Sequence, residues 1–349
     1  MRLVSLLAIA VLLLGVAVIA AETVWVCPMS EHTQEFSKPG TCPLCGMQLV
    51  EKNKQLQVAV LVFDHAEEID YSGPIEVFGE AGARVFTVSP SMNVIHSVFA
   101  LRVQPDYDFE HAPPSDVVIV PGGGTRAIRE NEKVQQWLRE RAKSSKYVLS
   151  VCNGAFIVAQ AGLLDGLKAT TTASRIDELT AFAPKTTVVR ERVVDNGKVI
   201  TTAGLSAGID GALHVLEREY GRPRAEMVAR GMEFRWQPDS PWTHAKDADM
   251  RMPDTALPDN STFERISSNG DSQKWELTGH LHTPLSSEEA LDFAAKQIVA
   301  KGWTLKESAK GKRVFARTES DGQWITTWTA ADAGSPQTYL ETLAIQKVR

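Results

Sequence analysis

The chain has 349 residues, 43% of them apolar and 23% charged, which is ordinary for a globular protein with room for two or three domains. Its net charge of −6 leaves no basic footprint, so nucleic acid is excluded as an expected partner. The N-terminal stretch MRLVSLLAIAVLLLGVAVIAA reads as a signal peptide over residues 1–21. Arg2 supplies the positive start, Leu3 to Ile19 the apolar run, and Ala20-Ala21 the small residues of a cleavage site. The expected location is therefore periplasmic or secreted. The apolar run is also long enough to anchor the chain if it is not removed, and that is the one expected route to a membrane.

Residues 22–52 hold Cys27, Cys42 and Cys45 among prolines and glycines, with too few aliphatic residues for a core. A segment this small calls for a metal or a disulfide. In Cys42-Pro-Leu-Cys45-Gly46 the two thiolates can converge on one ion, with Gly46 turning the backbone beneath them. Cys27 offers a third sulfur and His32 a fourth ligand, and Met29 or Met47 would suit a softer ion. Zn and Cu are both expected candidates. The competing reading is a Cys42–Cys45 disulfide. The stretches CPM (27–29), KPG (38–40) and CPLCGMQLV (42–50) resemble the short heavy-metal-binding domain found beside metal efflux proteins. They depart from it at Ser30, where that family has histidine.

From Gln57 the pattern becomes alternating. QVAVLVFD (57–64), RVFTVSP (84–90), DVVIVPGGG (116–124) and KYVLSV (146–151) read as buried strands. GPIEVFGEAG (73–82), NEKVQQWLRERAKS (131–144), NGAFIVAQAG (153–162) and SAGIDGALHVLEREYG (206–221) read as helices, and ERVVDNGKVITTA (191–203) as a hairpin turning at Asn196-Gly197. The expected fold over 57–235 is α/β, a doubly wound, flavodoxin-like parallel sheet with its site beyond the carboxyl ends of the strands. Three features fall on that rim: the Gly122–Gly124 turn, Cys152, and Asp70 in the loop after the first strand. Ser150-Val-Cys152-Asn-Gly154 has the small residues a strained strand-to-helix elbow requires. The expectation is a reactive, low-pKa thiol, with the following helix favouring thiolate and a protonated Asp70 donating to it. The glycine turn would admit backbone N–H groups to a substrate oxyanion.

The motifs IDYSGPIEVFG, DVVIVPGGG, VLSVCNGAFIVAQAGLLDGLKATTT and TTAGLSAGIDGALHVLE resemble the ThiJ/PfpI family of the class I glutamine amidotransferase-like superfamily, in the branch of isonitrile hydratases and the ligand-binding halves of AraC-type regulators. The resemblance implies that Cys152 is the elbow cysteine, Asp70 its acidic neighbour, and Gly123 and Asn153 residues near the oxyanion site. Asn153 stands where PfpI-type peptidases have histidine, and Thr172 where many relatives have another. Peptide hydrolysis and amidotransfer are therefore disfavoured. No cofactor is expected in this domain.

Residues 236–262 read as a linker or wrapping arm, with Asp247 and Asp249 as solvated acids or a hard-cation site. Residues 263–349 read as a small α+β domain: strands at 274–282, 312–319, 323–330 and 338–347, and a helix opened by a Ser286–Glu289 capping box. An interaction or sensing role is its default expectation. Two readings of the whole remain open: a cysteine-dependent hydratase or hydrolase acting on a small electrophile, or a non-enzymatic metal or oxidative-stress sensor or chaperone using Cys152 as a redox thiol. The expected partners are a small-molecule ligand or a metal ion, with a homodimer allowed.

Overall fold

The computed structural model describes residues 23–27, 32–52, 55–319 and 321–348. The expected signal peptide, Met29 and Ser30 lie outside the described residues. The chain divides at residue 55 into two compact units. In the first, β1 (Trp25–Val26) pairs antiparallel with β2 (Glu35–Phe36) and β3 (Val50–Glu51). Its apolar cluster is Cys27, Cys42 and Leu49 backed by Trp25 and Phe36, so two of its three most buried members are cysteines.

The second unit is organised by a seven-stranded sheet. In chain order its framework is β4 (Gln57–Leu61), α1 (Glu68–Glu80), β5 (Arg84–Ser89), the small pair β6 (Ile95–His96) and β7 (Arg102–Val103), β8 (Tyr107–Asp108), β9 (Val117–Val120), α2 (Thr125–Arg129), α3 (Glu132–Ser144), β10 (Tyr147–Ser150), α4 (Gly154–Gln160), β11 (Lys168–Ala169), α5 (Ile176–Phe182), β12 (Thr187–Val188), β13 (Val193–Asp195), β14 (Val199–Thr202), α6 (Ala207–Tyr220) and α7 (Arg222–Gly231). The sheet order is β13-β14-β10-β9-β4-β5-β8, and every neighbouring pair is parallel except β13–β14. All four residues of β9 and of β10 are buried. This is the consequence of helices covering both faces, and it explains the continuous apolar runs VVIV and YVLS. The expected parallel α/β sheet is what the chain forms.

One placement differs. The sequence reading puts Asp70 in a loop, with the helix starting at Gly73-Pro74. The helix α1 instead begins at Glu68, so Asp70 lies in its first turn. Pro74 is accommodated because α1 gains from burying Asp70, Tyr71, Val77 and Phe78, and because Gly73 lets it lie flush on α6: a Cβ there would stand 2.9 Å from Ile209. Tertiary packing overrides the local breaker signal.

The arm after α7 is pinned at both ends. Trp236 packs on the central core, Ala248 enters the core of the last domain, and two short turns of 3-10 helix, His244–Lys246 and Ala248–Arg251, lie between. The last domain contains β15 (Thr262–Gly270), β16 (Lys274–His282), α8 (Ser287–Ala300), β17 (Thr304–Ala309), β18 (Lys312–Glu319), β19 (Gly322–Asp332) and β20 (Thr338–Lys347). These strands form an antiparallel sheet in the order β15-β16-β20-β19-β18-β17, with α8 packed on β17, β18 and β19. Ser286 Oγ accepts from the Glu289 N–H, and the Glu289 carboxylate accepts from the Ser286 N–H, completing the expected capping box. The sequence reading misses β15 and β17. Both are edge strands, and β17 is exposed along its whole length, so neither carries the alternation that marks a half-buried strand.

The turn from β10 into α4 has no spare volume. A Cβ on Gly154 would lie 2.1 Å from the Val120 carbonyl oxygen. Gly154→Ala is expected to destabilise the fold by about 3 kcal/mol through this overpacking. Urea denaturation of the variant beside the wild type measures it, and an unchanged midpoint would contradict the packing described.

Candidate functional site

Cys152 occupies the single bend between β10 and α4. Its φ is 54°, in the left-handed region that non-glycine residues seldom occupy. The conformation is held on every side: the Cys152 N–H donates to Ala203 O (3.2 Å), and Thr171 Oγ1 donates to Cys152 O (2.9 Å). Gly122 approaches from β9. A Cβ on it would stand 2.6 Å from the Asn153 nitrogen, 2.8 Å from Asp70 Oδ2 and 2.9 Å from Cys152 Cβ. Only glycine lets these three groups meet. Across the sulfur lie Thr172 and Gly204, where an added Cβ would be 2.6 Å from Thr172 Oγ1 and 3.5 Å from Cys152 Sγ.

The Asp70 carboxyl is fully buried: its Oδ2 accepts the Gly122 N–H at 3.0 Å, and the Cys152 thiol and the Leu205 N–H also act on the carboxyl. Burial pushes Asp70 up to about 7. The Gly122 N–H, the Cys152 thiol and the Leu205 N–H pull it down, while the charge of Glu67 adds to the rise. Burial and then the Asp70 charge push the Cys152 thiol up to about 12, against the N–H groups of Asn153 and Leu205. The expected low-pKa thiolate is thus not what this environment favours. Cys152 is only 7% exposed, and desolvation outweighs the short helix behind it. The two acids share one environment and titrate as a pair that releases its first proton near neutrality and its second only at high pH. The favoured singly charged form is a thiol donating to a carboxylate.

The glycine turn also differs in detail from the sequence reading. The Gly122 N–H is committed to Asp70 and the Gly124 N–H to His65 O. Gly123, at φ 102°, packs so closely on the backbone of His65 and Glu67 that a Cβ would lie 2.3 Å from His65 O. The N–H of Gly123 has no protein acceptor among the described residues, and its carbonyl accepts from Asn153 Nδ2 at 3.4 Å. Asn153 Oδ1 is buried without a donor. Cys152, Asp70, Gly123 and Asn153 are therefore brought together, with Gly122, Thr172, Gly204 and Leu205 around them. Leu205 escapes sequence reasoning. It contributes through its backbone N–H, held at φ 56°, and its side chain carries no chemical signal. His65 lies beside the glycine turn through its backbone, and His214 bonds Asp195 Oδ2 at 2.8 Å.

The first unit gathers Cys27, His32, Cys42 and Cys45, whose ligand atoms all lie within 4.8 Å of one another. Cys27 Sγ is 3.4 Å from His32 Nδ1 and 3.5 Å from Cys45 Sγ, and Cys42 Sγ is 3.6 Å from His32 Nδ1. A tetrahedral shell with bonds of roughly 2.0–2.3 Å has edges of about 3.5–3.8 Å, so this set fits one ion. No two of the sulfurs are bonded, which rules against the Cys42–Cys45 disulfide here. Burial raises the Cys42 thiol, but the Leu44 and Cys45 N–H groups and the Cys27 and Cys45 side chains outweigh it and bring it to about 6. The Met47 carbonyl oxygen accepts the Cys42 N–H at 2.8 Å beside this cluster.

Comparison with known proteins agrees with both halves of this description. Residues 24–52 match the heavy metal binding domain, and residues 56–218 match the DJ-1/PfpI family. The chain is 33% identical over 181 residues to an isonitrile hydratase of Pseudomonas putida, covering 51% of this chain and 78% of that protein. A deglycase of Pyrococcus abyssi is 29% identical over 168 residues, covering 47% of this chain and 97% of that protein. Among solved structures, a ThiJ/PfpI family protein from Pseudomonas syringae is 31% identical with a TM-score of 0.49, covering 53% of this chain and 78% of that one. The strained cysteine, its buried acid and the glycine turn sit inside the matched span, and the chain belongs to the DJ-1/PfpI family, with a heavy metal binding domain ahead of it.

Proposed function

We propose that this protein is an exported, cysteine-dependent enzyme of hydratase type acting on a small carbon electrophile, an isonitrile in the first instance. The observation that carries the reading is the pairing of Cys152, at φ 54°, with a buried Asp70 poised near neutrality and hydrogen-bonded to the thiol. Sγ attacks the terminal isonitrile carbon, and Asp70 takes the thiol proton and returns it to that same carbon, leaving a thioimidate. Water then adds to the thioimidate carbon and the sulfur leaves, recovering its proton and releasing a formamide. One carboxyl with a pKa near the working pH suffices for this shuttle. No leaving amine has to be protonated by a histidine, which suits a site with Asn153 and Thr172 in the positions discussed above. The similarity to an isonitrile hydratase supports this choice of substrate class. Burial and the raised thiol pKa favour an attacking group activated on demand over a peroxide-sensing thiolate.

For the first unit we propose Zn(II), held by Cys27, His32, Cys42 and Cys45. A closed set of three thiolates and one imidazole is the ligand set of a structural zinc site. Metal ligation would also keep the three thiols from oxidising after export.

Three outcomes are expected. With cyclohexyl isocyanide as substrate, the wild type forms N-cyclohexylformamide, Cys152→Ala loses at least about a thousandfold of the rate, and Asp70→Asn about a hundredfold. Chromatographic quantitation of the formamide checks this, and equal rates in wild type and Cys152→Ala would refute the assignment. In wild type, iodoacetamide labelling of Cys152 accelerates with rising pH up to about 7, as the pair sheds its first proton, and then levels off. Asp70→Asn has no group titrating there, so its labelling rises steadily through pH 9. Mass spectrometry of the labelled peptide gives both profiles, and superimposable curves would show that the two groups are not coupled. Reduced protein carries about one zinc per chain by elemental analysis, and Cys42→Ser/Cys45→Ser carries none. Equal metal content in both would remove the zinc assignment.

A further inference from the structure

The last domain contains a cavity of about 410 Å³ between the inner face of its sheet, α8 and the segment 252–258. Phe263, Leu277, Leu281, Phe293, Trp328 and Leu343 make it largely apolar. The segment that closes one side is clamped to α8: the Ala256 N–H donates to Gln297 Oε1 at 2.8 Å, and Gln297 Nε2 donates back to Ala256 O at 3.1 Å. Into this cavity faces a carboxyl group. Glu341 lies on the inner face of β20, only 6% exposed. Its neighbours on the flanking strands are Gly279 and Ala330, so small residues on both sides leave its side chain uncovered. The Phe263 ring covers Gly279 so closely that a Cβ there would be 2.3 Å from Cζ, which puts an aromatic ring over the strand position paired with Glu341.

Among the described residues, Glu341 has no hydrogen-bond donor or ion-pair partner on its side chain. Burial alone raises it to about 7, with no compensating contact. A carboxyl in that position costs stability, and a leucine of similar size would not. The remaining ionisable groups on the wall have the same sign. Asp249 and Asp254 line the cavity too, Asp249 Oδ1 is buried without a donor, and the lining includes no lysine, arginine or histidine. Asp249 already faces His244 at 3.7 Å, so apolar walls, aromatic rings and the one unpartnered carboxyl of Glu341 define the ligand by what is missing.

We infer that this cavity binds a small organic cation, an amine carried on an apolar body, with Glu341 as its counter-ion. The ammonium group would supply the donors Glu341 lacks, and Phe263, Phe293 and Trp328 would surround the hydrocarbon part and favour a cation over a neutral group. This site is chemically independent of Cys152 and of the metal cluster.

Calorimetric titration of the full chain at pH 8, with 4-phenylbutylamine, 4-phenylbutanol and 4-phenylbutyrate as probes, tests the inference. The amine should bind at least about tenfold more tightly than the alcohol, and the carboxylate least of all. Glu341→Gln should bind the alcohol as wild type does and lose the preference for the amine, while Cys152→Ala keeps it. As a measurement that needs no variant, the methylene protons of the bound amine should show intermolecular NOEs to the Phe263 and Phe293 rings in the wild type. Amine binding no tighter than alcohol binding, a preference that survives Glu341→Gln, an absence of saturable binding by all three probes, or a Glu341→Gln chain that fails to fold would each overturn the assignment.

Discussion

The site around Cys152 depends on one steric constraint: the backbones that leave β9 and β10 meet each other and the Asp70 carboxyl where the strands end, and only glycine fits between them. Gly122 touches Asn153, Asp70 and Cys152 at once, and Gly154 lies against Val120 O. That convergence holds Cys152 at a positive φ, and the strain is sustained because the buried sheet below cannot yield. It also determines which groups stay available. The same turn commits the Gly122 and Gly124 N–H groups to the protein and leaves that of Gly123 without an acceptor among the described residues.

The chain uses one side chain in two opposite electrostatic settings. Cys42 is brought down to about 6 by backbone N–H groups and neighbouring thiols, and Cys152 is pushed up to about 12 by desolvation and a facing carboxyl. The first setting suits a permanent metal ligand, which must be a thiolate. The second suits a thiol that gives up its proton only when a substrate arrives, to an acid close enough to take it. Glu341 is a buried acid of a different kind, with neither a facing thiol nor a backbone donor, and that difference separates it from Asp70.

Much of the architecture was legible in the residues. Short, β-branched apolar runs ending in Pro and Gly, such as DVVIVPGGG, read as strands covered on both faces, and Ser286 with Glu289 announces a helix start from four residues. The elbow could be read from the small residues at 150 and 154, and the metal cluster from cysteine spacing, because covalent and steric requirements act over short distances along the chain. Family motifs extended that legibility to Asp70, Gly123 and Asn153.

What the sequence could not determine lies in groups that meet across the fold. Asp70 read as a loop residue because Pro74 speaks locally against a helix, and it became helical because α1 packs on α6. Leu205 takes its place through a backbone N–H, which every residue but proline possesses. The edge strands β15 and β17 carry no period because one or both of their faces meet water. Even the thiol's acidity reversed. Sequence shows which residue follows a helix start, but the dielectric surroundings and the charge facing the sulfur are set by segments far apart in the chain. Sequence alone determined the residue types, their spacing and the sheet they build. The tertiary structure decided which buried acids would find a partner, because desolvation is a property of the packed interior and not of any stretch of chain.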